Sequence, residues 1–313
     1  MLFSKQADSI SQSRHELISV SLKTLIDLAK PATSLNLHHA QLRSRQSGGY
    51  VSRFKGRGME FDEARLYQPG DDIRSIDWRV TARTGKTHTK VYREERERPV
   101  FISVDNRLTM RFATRGVFKS VLAAKLAGLL AWTAEYHSDR IGGQIFSEHE
   151  CRELKPQNGR HAVLRFLNAI VCRGDSSRPV SQLPTGVAPT ITLEQVLARL
   201  TQHARPGSLV YIISDFRGIN EQAETHIAKL SQHCEVVLIF IYDPLESSLP
   251  TKGRYRFTDD DRDVVIDTSD QQRLISYQQH FAQRLQRLEL LAKRRGIAFI
   301  QCSTSEDPIQ CLR

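Results

Sequence analysis

Hydrophobic positions along the chain keep two different rhythms, and the change falls at Val100. Before it, Leu17, Ile18, Leu22, Leu25, Ile26 and Leu28 recur at helical spacing. They predict a helix over 14–29, stopped by Pro31. Residues 31–49 are rich in Ser, Gln and His, end in Gly48-Gly49, and read as a linker. Residues 50–98 are dense in Arg, Asp and Glu and poor in aliphatics, so they cannot bury a large core alone. Such an arm is expected to lie across another domain or to be held by ion pairs. Gln68-Pro69-Gly70-Asp71 is a turn, with Pro setting φ at the second position and Gly accepting positive φ at the third. Thr87–Tyr92 alternates like a strand near an edge.

From Val100 onward, short β-rich runs alternate with amphipathic helices. Strands are expected at Val100–Val104, Ile141–Phe146, Leu209–Ser214, Glu235–Tyr242, Val264–Ile266 and Ile297–Cys302. Helices are expected at Val117–His137, His161–Val171, Leu193–His203, Glu221–Ser231 and Gln271–Arg295, the last closed by Gly296. Strands separated by helices of this length predict an α/β fold. Its mostly parallel sheet is covered by helices on both faces, with right-handed crossovers. Ligand sites in such sheets lie at the carboxyl ends of strands. Three parts are expected: an N-terminal helix and linker over 1–49, the charged, β-containing arm over 50–99, and the α/β domain over 100–313.

Composition narrows the class. Of 313 residues, 26% are charged and 40% hydrophobic, as in ordinary soluble domains. The longest uncharged run of the most apolar helix, Leu126–Ala134, has nine residues, against roughly 20 for a membrane span. Lys5 and Asp8 near the start are not followed by the apolar core of a secretory signal. Cytoplasmic residence is the expectation. The cysteines, Cys151, Cys172, Cys234, Cys302 and Cys311, include no C-x-x-C pair, so reduced thiols are expected. The net charge of +10 is uneven. Arg43, Arg45, Arg53, Lys55 and Arg57 lie between Leu42 and Gly58 with no acidic residue. That strip is either a solvated linker or a contact for nucleic acid, lipid headgroups or an acidic protein.

Two stretches have an unusual composition. The first contains Gly58-Met59-Glu60-Phe61, Tyr67-Gln68-Pro69-Gly70-Asp71-Asp72 and Arg74-Ser75-Ile76-Asp77-Trp78, and reaches Glu94-Glu95-Arg96. The second is Ile213-Ser214-Asp215-Phe216, followed by Tyr242-Asp243-Pro244-Leu245-Glu246 and Leu249-Pro250. They resemble the signature of the family called domain of unknown function 58 (DUF58), von Willebrand factor A-like proteins, over roughly residues 50 to 300. The resemblance implies a von Willebrand factor A-like (Rossmann-like) fold with an added arm. It also implies partnership with a MoxR-type AAA+ ATPase in the assembly or maturation of client proteins.

Two readings of the first stretch remain open. Its carboxylates and guanidinium groups form a network that fixes the arm, with Trp78 as an apolar anchor. Alternatively Arg65, Tyr67, Asp71, Asp72, Arg74, Asp77, Trp78, Arg79 and Arg83 form a partner-docking face, Arg and Trp being frequent interface anchors. The spacing singles out no catalytic acid–base pair.

The resemblance also raises a metal question. Such domains often hold Mg²⁺ through Asp-x-Ser-x-Ser after the first strand, with a Thr and an Asp from other loops. Here Asp105 and Thr109 match in type, Asp215 supplies the later carboxylate, and Arg107 replaces the first serine. The loop Asn158-Gly159-Arg160-His161 offers no Thr. A guanidinium about 5 Å from a cation costs roughly 3 kcal/mol per unit charge at an effective dielectric near 20. The expectation is a degenerate site with Arg107 between Asp105 and Asp215 and no cofactor, the alternatives being a bound Mg²⁺ and an Arg107 that points away from an empty site.

Other motifs fail. Gly85-Lys86-Thr87 lacks the earlier glycine of a P-loop, that position being Val80, and lacks a following helix. Thr258–Asp263 lacks the glycine and distal Glu of a calcium loop, and reads as a charged hairpin. His38-His39 sits in the polar linker. The expected function is a non-enzymatic adaptor with no catalytic residue. The alternatives are an anionic-surface or nucleic-acid binder and a metal-dependent hydrolase resting on Asp105 and Asp215.

Overall fold

A computed structural model describes residues 16–35, 59–94, 97–174, 190–248, 253–259, 262–267 and 271–313. The basic strip Leu42–Gly58, His38-His39, Leu249-Pro250, the Glu95-Arg96 end of the signature and the start of the chain lie outside the described residues. Two compact units emerge: Arg43–Glu97, and a body formed by the rest.

The body is built on six strands: β3 (Pro99–Asp105), β4 (Arg140–Phe146), β5 (Cys151–Gln157), β6 (Leu209–Ser214), β7 (Glu235–Tyr242) and β10 (Ala298–Ser303). Their order is β10-β7-β6-β3-β4-β5, parallel throughout except for β5, which runs antiparallel to β4. Strand side chains alternate faces, and the core divides accordingly. Val100, Ile102, Leu209, Tyr211, Val237 and Ile239 join one buried cluster. Phe101, Val210, Ile212, Val236, Leu238 and Phe240 join the other.

Helices cover both clusters. On the first face lie α1 (Leu22–Asp27), α2 (Ala29–Ala32), α4 (Lys119–Tyr136) and α5 (Arg160–Gly174). On the second lie α6 (Leu193–His203), α7 (Glu221–His233) and α9 (Gln271–Arg295); α3 (Trp78–Thr84) belongs to the arm, and the short α8 (Pro244–Ser247) follows β7. Helix α4 is buried from Val121 through Ala134 without a break in its apolar face, since it has neighbours on nearly every side. Gly296 closes α9 at φ 66°, and the N–H of Ile297 reaches the Ala292 carbonyl.

Two sequence expectations are corrected. The sixth strand of the sheet is not Val264–Ile266. That segment belongs to β9 (Arg262–Asp267), which pairs only with β8 (Arg254–Asp259) as a separate antiparallel hairpin. The sheet's edge is instead β5, whose pattern escaped notice because only Leu154 is buried and Pro156 interrupts it. Proline is tolerated at an edge because its missing N–H faces away from the ladder. The single helix expected over 14–29 is also broken. Ser21 caps α1, its hydroxyl accepting from Thr24 N at 3.1 Å, and Pro31 sits inside α2, where a first-turn N–H has no intrahelical partner to lose. This segment is part of the body's core: Leu25, Ala32 and Leu35 are buried, and Trp132 Nε1 donates to Leu25 O at 2.9 Å.

In the arm, β1 (Met59–Leu66) pairs antiparallel with β2 (His88–Glu94). A 3₁₀ turn, Ile73–Ser75, and α3 (Trp78–Thr84) connect them. Gly70 takes φ 108° in the turn, and Asp71 N donates to Gln68 O at 3.0 Å. All five cysteines are free.

Candidate functional site

Strand order locates one site before any side chain is considered. From β3 the chain moves to β4 and β5 on one side, then to β6, β7 and β10 on the other. The topological switch therefore lies between β3 and β6, where open α/β sheets form a crevice at the strands' carboxyl ends. Asp105 ends β3 and Asp215 follows β6, so both carboxylates stand at that crevice.

Arg107 lies between them. Its Nε donates to Asp105 Oδ1 at 3.0 Å and its Nη2 to Oδ2 at 2.7 Å, while its backbone N–H reaches Oδ1 at 3.0 Å. The same Nη2 is 3.6 Å from Asp215 Oδ1, and Nη1 donates to the Arg217 carbonyl at 3.0 Å. The Phe146 ring backs the guanidinium at 5.7 Å. Ser214 Oγ donates to Asp105 at 2.6 Å and accepts from Phe216 N at 2.8 Å. That second bond accompanies a left-handed backbone at Phe216, φ 49°, with the side chain fully buried. A non-glycine residue held there stores strain of about 1–3 kcal/mol.

Asp215 has a second cation. Lys119, in the first turn of α4 and completely buried, donates to Asp215 Oδ2 at 3.0 Å and to Glu246 Oε1 at 2.9 Å. Arg217 Nη2 reaches the same Glu246 oxygen at 2.6 Å, and Asp243 N donates to Glu246 Oε2 at 3.1 Å. Asp243 is buried too, accepting from Thr114 N and Oγ1, Leu245 N and Thr304 Oγ1.

The electrostatics follow from these contacts. Burial pushes the Asp105 carboxyl upward, against the pull of the Arg107 bonds. Burial acts on Asp215 the same way, but the Lys119 charge, the Arg217 N–H and the Arg107 charge outweigh it and hold Asp215 below the usual range. Asp243 is likewise low, because its hydrogen bonds from Thr114, Leu245 and Thr304 overcome desolvation.

Of the residues singled out from sequence, Asp105, Arg107 and Asp215 come together. Thr109 does not join them: it sits in the 3₁₀ turn Leu108–Met110, its Oγ1 buried and without a hydrogen bond. Lys119, Arg217 and Glu246 are not among the site residues that the sequence pattern singles out. One sequence signal existed. A lysine in the first turn of an apolar helix opposes the helix dipole, and so calls for carboxylates nearby.

The arm's candidate residues divide into two groups. Arg65 makes a bidentate pair with Asp71, at 2.7 and 2.9 Å, and Asp71 also accepts from Gln68 N. Tyr67 Oη lies 3.4 Å from Asp71 O. Asp72 caps the 3₁₀ turn, and Asp77 caps α3 through the N–H groups of Arg79 and Val80. Arg74, Arg79 and Arg83 are exposed. Trp78 is 68% exposed and Ile73 66%. Trp78 stands at the first position of α3, after the Asp77 cap.

Fold and site define the class: a mixed α/β protein with a mostly parallel six-stranded sheet, helices on both faces, and a buried ion-pair cluster at the switch point. The chain belongs to the family described as "Protein of unknown function DUF58", whose profile matches residues 63–300. Uncharacterised proteins of Mycobacterium bovis and Mycobacterium tuberculosis are 28% identical over 252 residues, covering 78% of this chain and 75% of theirs. Among solved structures, the conserved hypothetical protein BatB of Bacteroides thetaiotaomicron aligns with 69% of this chain and 95% of its own, at 15% identity and a TM-score of 0.41. An aerotolerance-related membrane protein of Bacteroides fragilis aligns over 69% and 94%, at 16% identity and a TM-score of 0.44. Among the described residues no helix is long and apolar enough to cross a membrane.

Proposed function

We propose that this protein is a non-enzymatic adaptor with a von Willebrand factor A-like body, working with a MoxR-type AAA+ ATPase on client proteins. One observation carries the reading. The signature arm uses Arg65, Asp71, Asp72 and Asp77 to hold its own turns, and leaves Trp78, Ile73, Arg74, Arg79 and Arg83 in solvent. An exposed tryptophan beside exposed arginines has the composition of an interface hot spot. The test uses a purified MoxR-type ATPase from the same cell, mixed with the full chain and crosslinked. Retention is expected, and Trp78→Ala with Arg79→Ala should weaken it at least about tenfold, since hot-spot truncations exceed about 2 kcal/mol. The double variant should stay within about 0.5 kcal/mol of the parent in stability, as surface substitutions do. Failure of the parent chain to retain the ATPase overturns the partnership.

In the same reading the switch-point site works without a divalent cation, because the donor set does not suit one. Both carboxylates that would bind Mg²⁺ are already engaged by Arg107 and Lys119. A hard dication needs oxygen ligands in an octahedron, and here guanidinium and ammonium groups face the space. Calorimetry with Mg²⁺ or Mn²⁺ on the purified chain is expected to show no saturable heat. Micromolar binding lost in Asp105→Ala would overturn the metal-independent site.

A further inference from the structure

One cation of the buried cluster makes no direct ion pair among the described residues. Asp105, Asp215 and Glu246 are matched by Arg107, Lys119 and Arg217. Asp243 is held as a carboxylate by four neutral donors, which makes four carboxylates in all. Arg284, projecting from α9, is the fourth cation. Its guanidinium carbon lies 5.8 Å from the Phe240 ring centroid and 5.7 Å from that of Phe281. Among the described residues, its Nε is buried with no acceptor, and so is Nε of Arg217. The nearest carboxylate oxygen recorded for the latter, Asp215 Oδ2 at 3.6 Å, is too far for a hydrogen bond.

The two arginines line one cleft of about 270 Å³ with Glu246, Tyr277, His280 and Phe281. It opens beyond the carboxyl ends of β6 and β7, one strand over from the switch point. Glu246 does not make it acidic, because both of its oxygens already accept hydrogen bonds, from Lys119, Arg217 and Asp243 N. Arg287 pairs with Glu224 and fastens α9 to α7, so the cleft wall is anchored. Burial lowers the Arg284 pKa, with Arg217 acting in the same direction against the Asp215 and Glu246 charges. An anion in the cleft would relieve both pressures.

We propose that this cleft binds an oxyanion, and specifically a phosphate group, held by the guanidinium groups of Arg284 and Arg217 with the Tyr277 hydroxyl as a third donor. Two arginine forks plus a hydroxyl offer more donors than the two oxygens of a carboxylate can use, whereas phosphate has oxygens enough for all three. The volume is below the roughly 300–1,000 Å³ of sites for drug-sized ligands, so the cleft takes a small ion or one phosphorylated group. This site is independent of the adaptor reading, since it involves neither the arm nor an ATPase.

The experiment is a titration of the full chain with inorganic phosphate at constant ionic strength, followed by calorimetry and thermal unfolding, with acetate and chloride as parallel arms. Phosphate should bind saturably and raise Tm by about 3 °C at ten times Kd. Arg284→Gln should weaken phosphate binding about tenfold or more, and Arg284→Lys should recover only part, because an ammonium lacks the fork. Tyr277→Phe removes one donor without changing ring volume, and should weaken binding about threefold to tenfold. The proposal is overturned by the absence of a phosphate-specific Tm rise, by acetate binding as tightly as phosphate, or by phosphate affinity unchanged in Arg284→Gln. Should that variant not fold cooperatively, unchanged affinity in Tyr277→Phe is the overturning result.

Discussion

Lys119→Met is expected to lower the unfolding free energy by about 3–5 kcal/mol, the cost of removing one partner from a buried ion pair. The ammonium is fully buried and bridges two carboxylates, Asp215 and Glu246, at 3.0 and 2.9 Å. Methionine fills much the same space, so the loss is electrostatic rather than a cavity effect. Arg217 still reaches Glu246, and Arg107 still lies 3.6 Å from Asp215, but neither replaces a hydrogen bond to Asp215 Oδ2. Urea unfolding of parent and variant measures the difference. A loss below about 1 kcal/mol would show that the cluster is not a counter-charge network.

The same substitution should change the pH dependence. In the parent, Asp215 and Asp243 titrate below their unfolded values. Their stabilisation is therefore complete above the unfolded pKa of about 3.9, and is lost as pH falls through the folded values. Asp105 is shifted upward, so its contribution runs the other way: it is present below about pH 3.9 and lost as pH rises above it. Without Lys119, Asp215 loses the charge that holds it low, and its pKa rises. The folded variant then takes up protons more readily than the unfolded chain. Its stability should therefore increase more steeply on acidification from about pH 7 toward 5 than that of the parent, in which Asp105 alone acts in that direction. Urea midpoints across that range supply the measurement.

Trp132→Ala is the second large effect, expected at about 3–5 kcal/mol from transfer and cavity terms together. Trp132 is buried in α4, and its indole N–H holds the carbonyl of Leu25 in α1. Beside it, Thr133 Oγ1 donates to Ala32 O at 3.2 Å. The substitution removes the packing and one of the hydrogen bonds that join the N-terminal helices to the body, and it leaves the Leu25 carbonyl without that donor. The chain has two tryptophans, and the other, Trp78, is exposed. Emission of the parent should combine a blue-shifted, unquenchable component with a red-shifted, quenchable one, and only the second should survive in the variant. Chemical denaturation gives the energy. A loss near zero would mean that α1 and α2 are not part of the cooperative core.

Much of the body was legible because its signals are local. Leu209–Ser214, Glu235–Tyr242, Leu193–His203 and Gln271–Arg295 occur as the residue pattern predicts. These segments combine β-branched runs or 3.6-residue periodicity with clear ends. Cys151–Gln157 was missed for the opposite reason: an edge strand buries little, so it carries little pattern. Val264–Ile266 was assigned to the sheet because a short apolar run states that a strand forms, but not which strand pairs with it.

By itself the sequence determined the alternation of strands and helices, the mostly parallel sheet, the αL glycine after Arg295, and the pairing in type of Asp105 with Asp215 around an arginine. The first three depend on a residue's own backbone preference or on neighbours within a few positions, and the Asp105–Asp215 pairing on the family resemblance. Only the tertiary structure decided that Lys119 and Glu246, 127 residues apart, share a hydrogen bond, that Arg284 makes no direct ion pair among the described residues, and that Trp78 is exposed. Burial and charge balance are sums over groups brought together from distant parts of the chain, and no local pattern encodes such a sum.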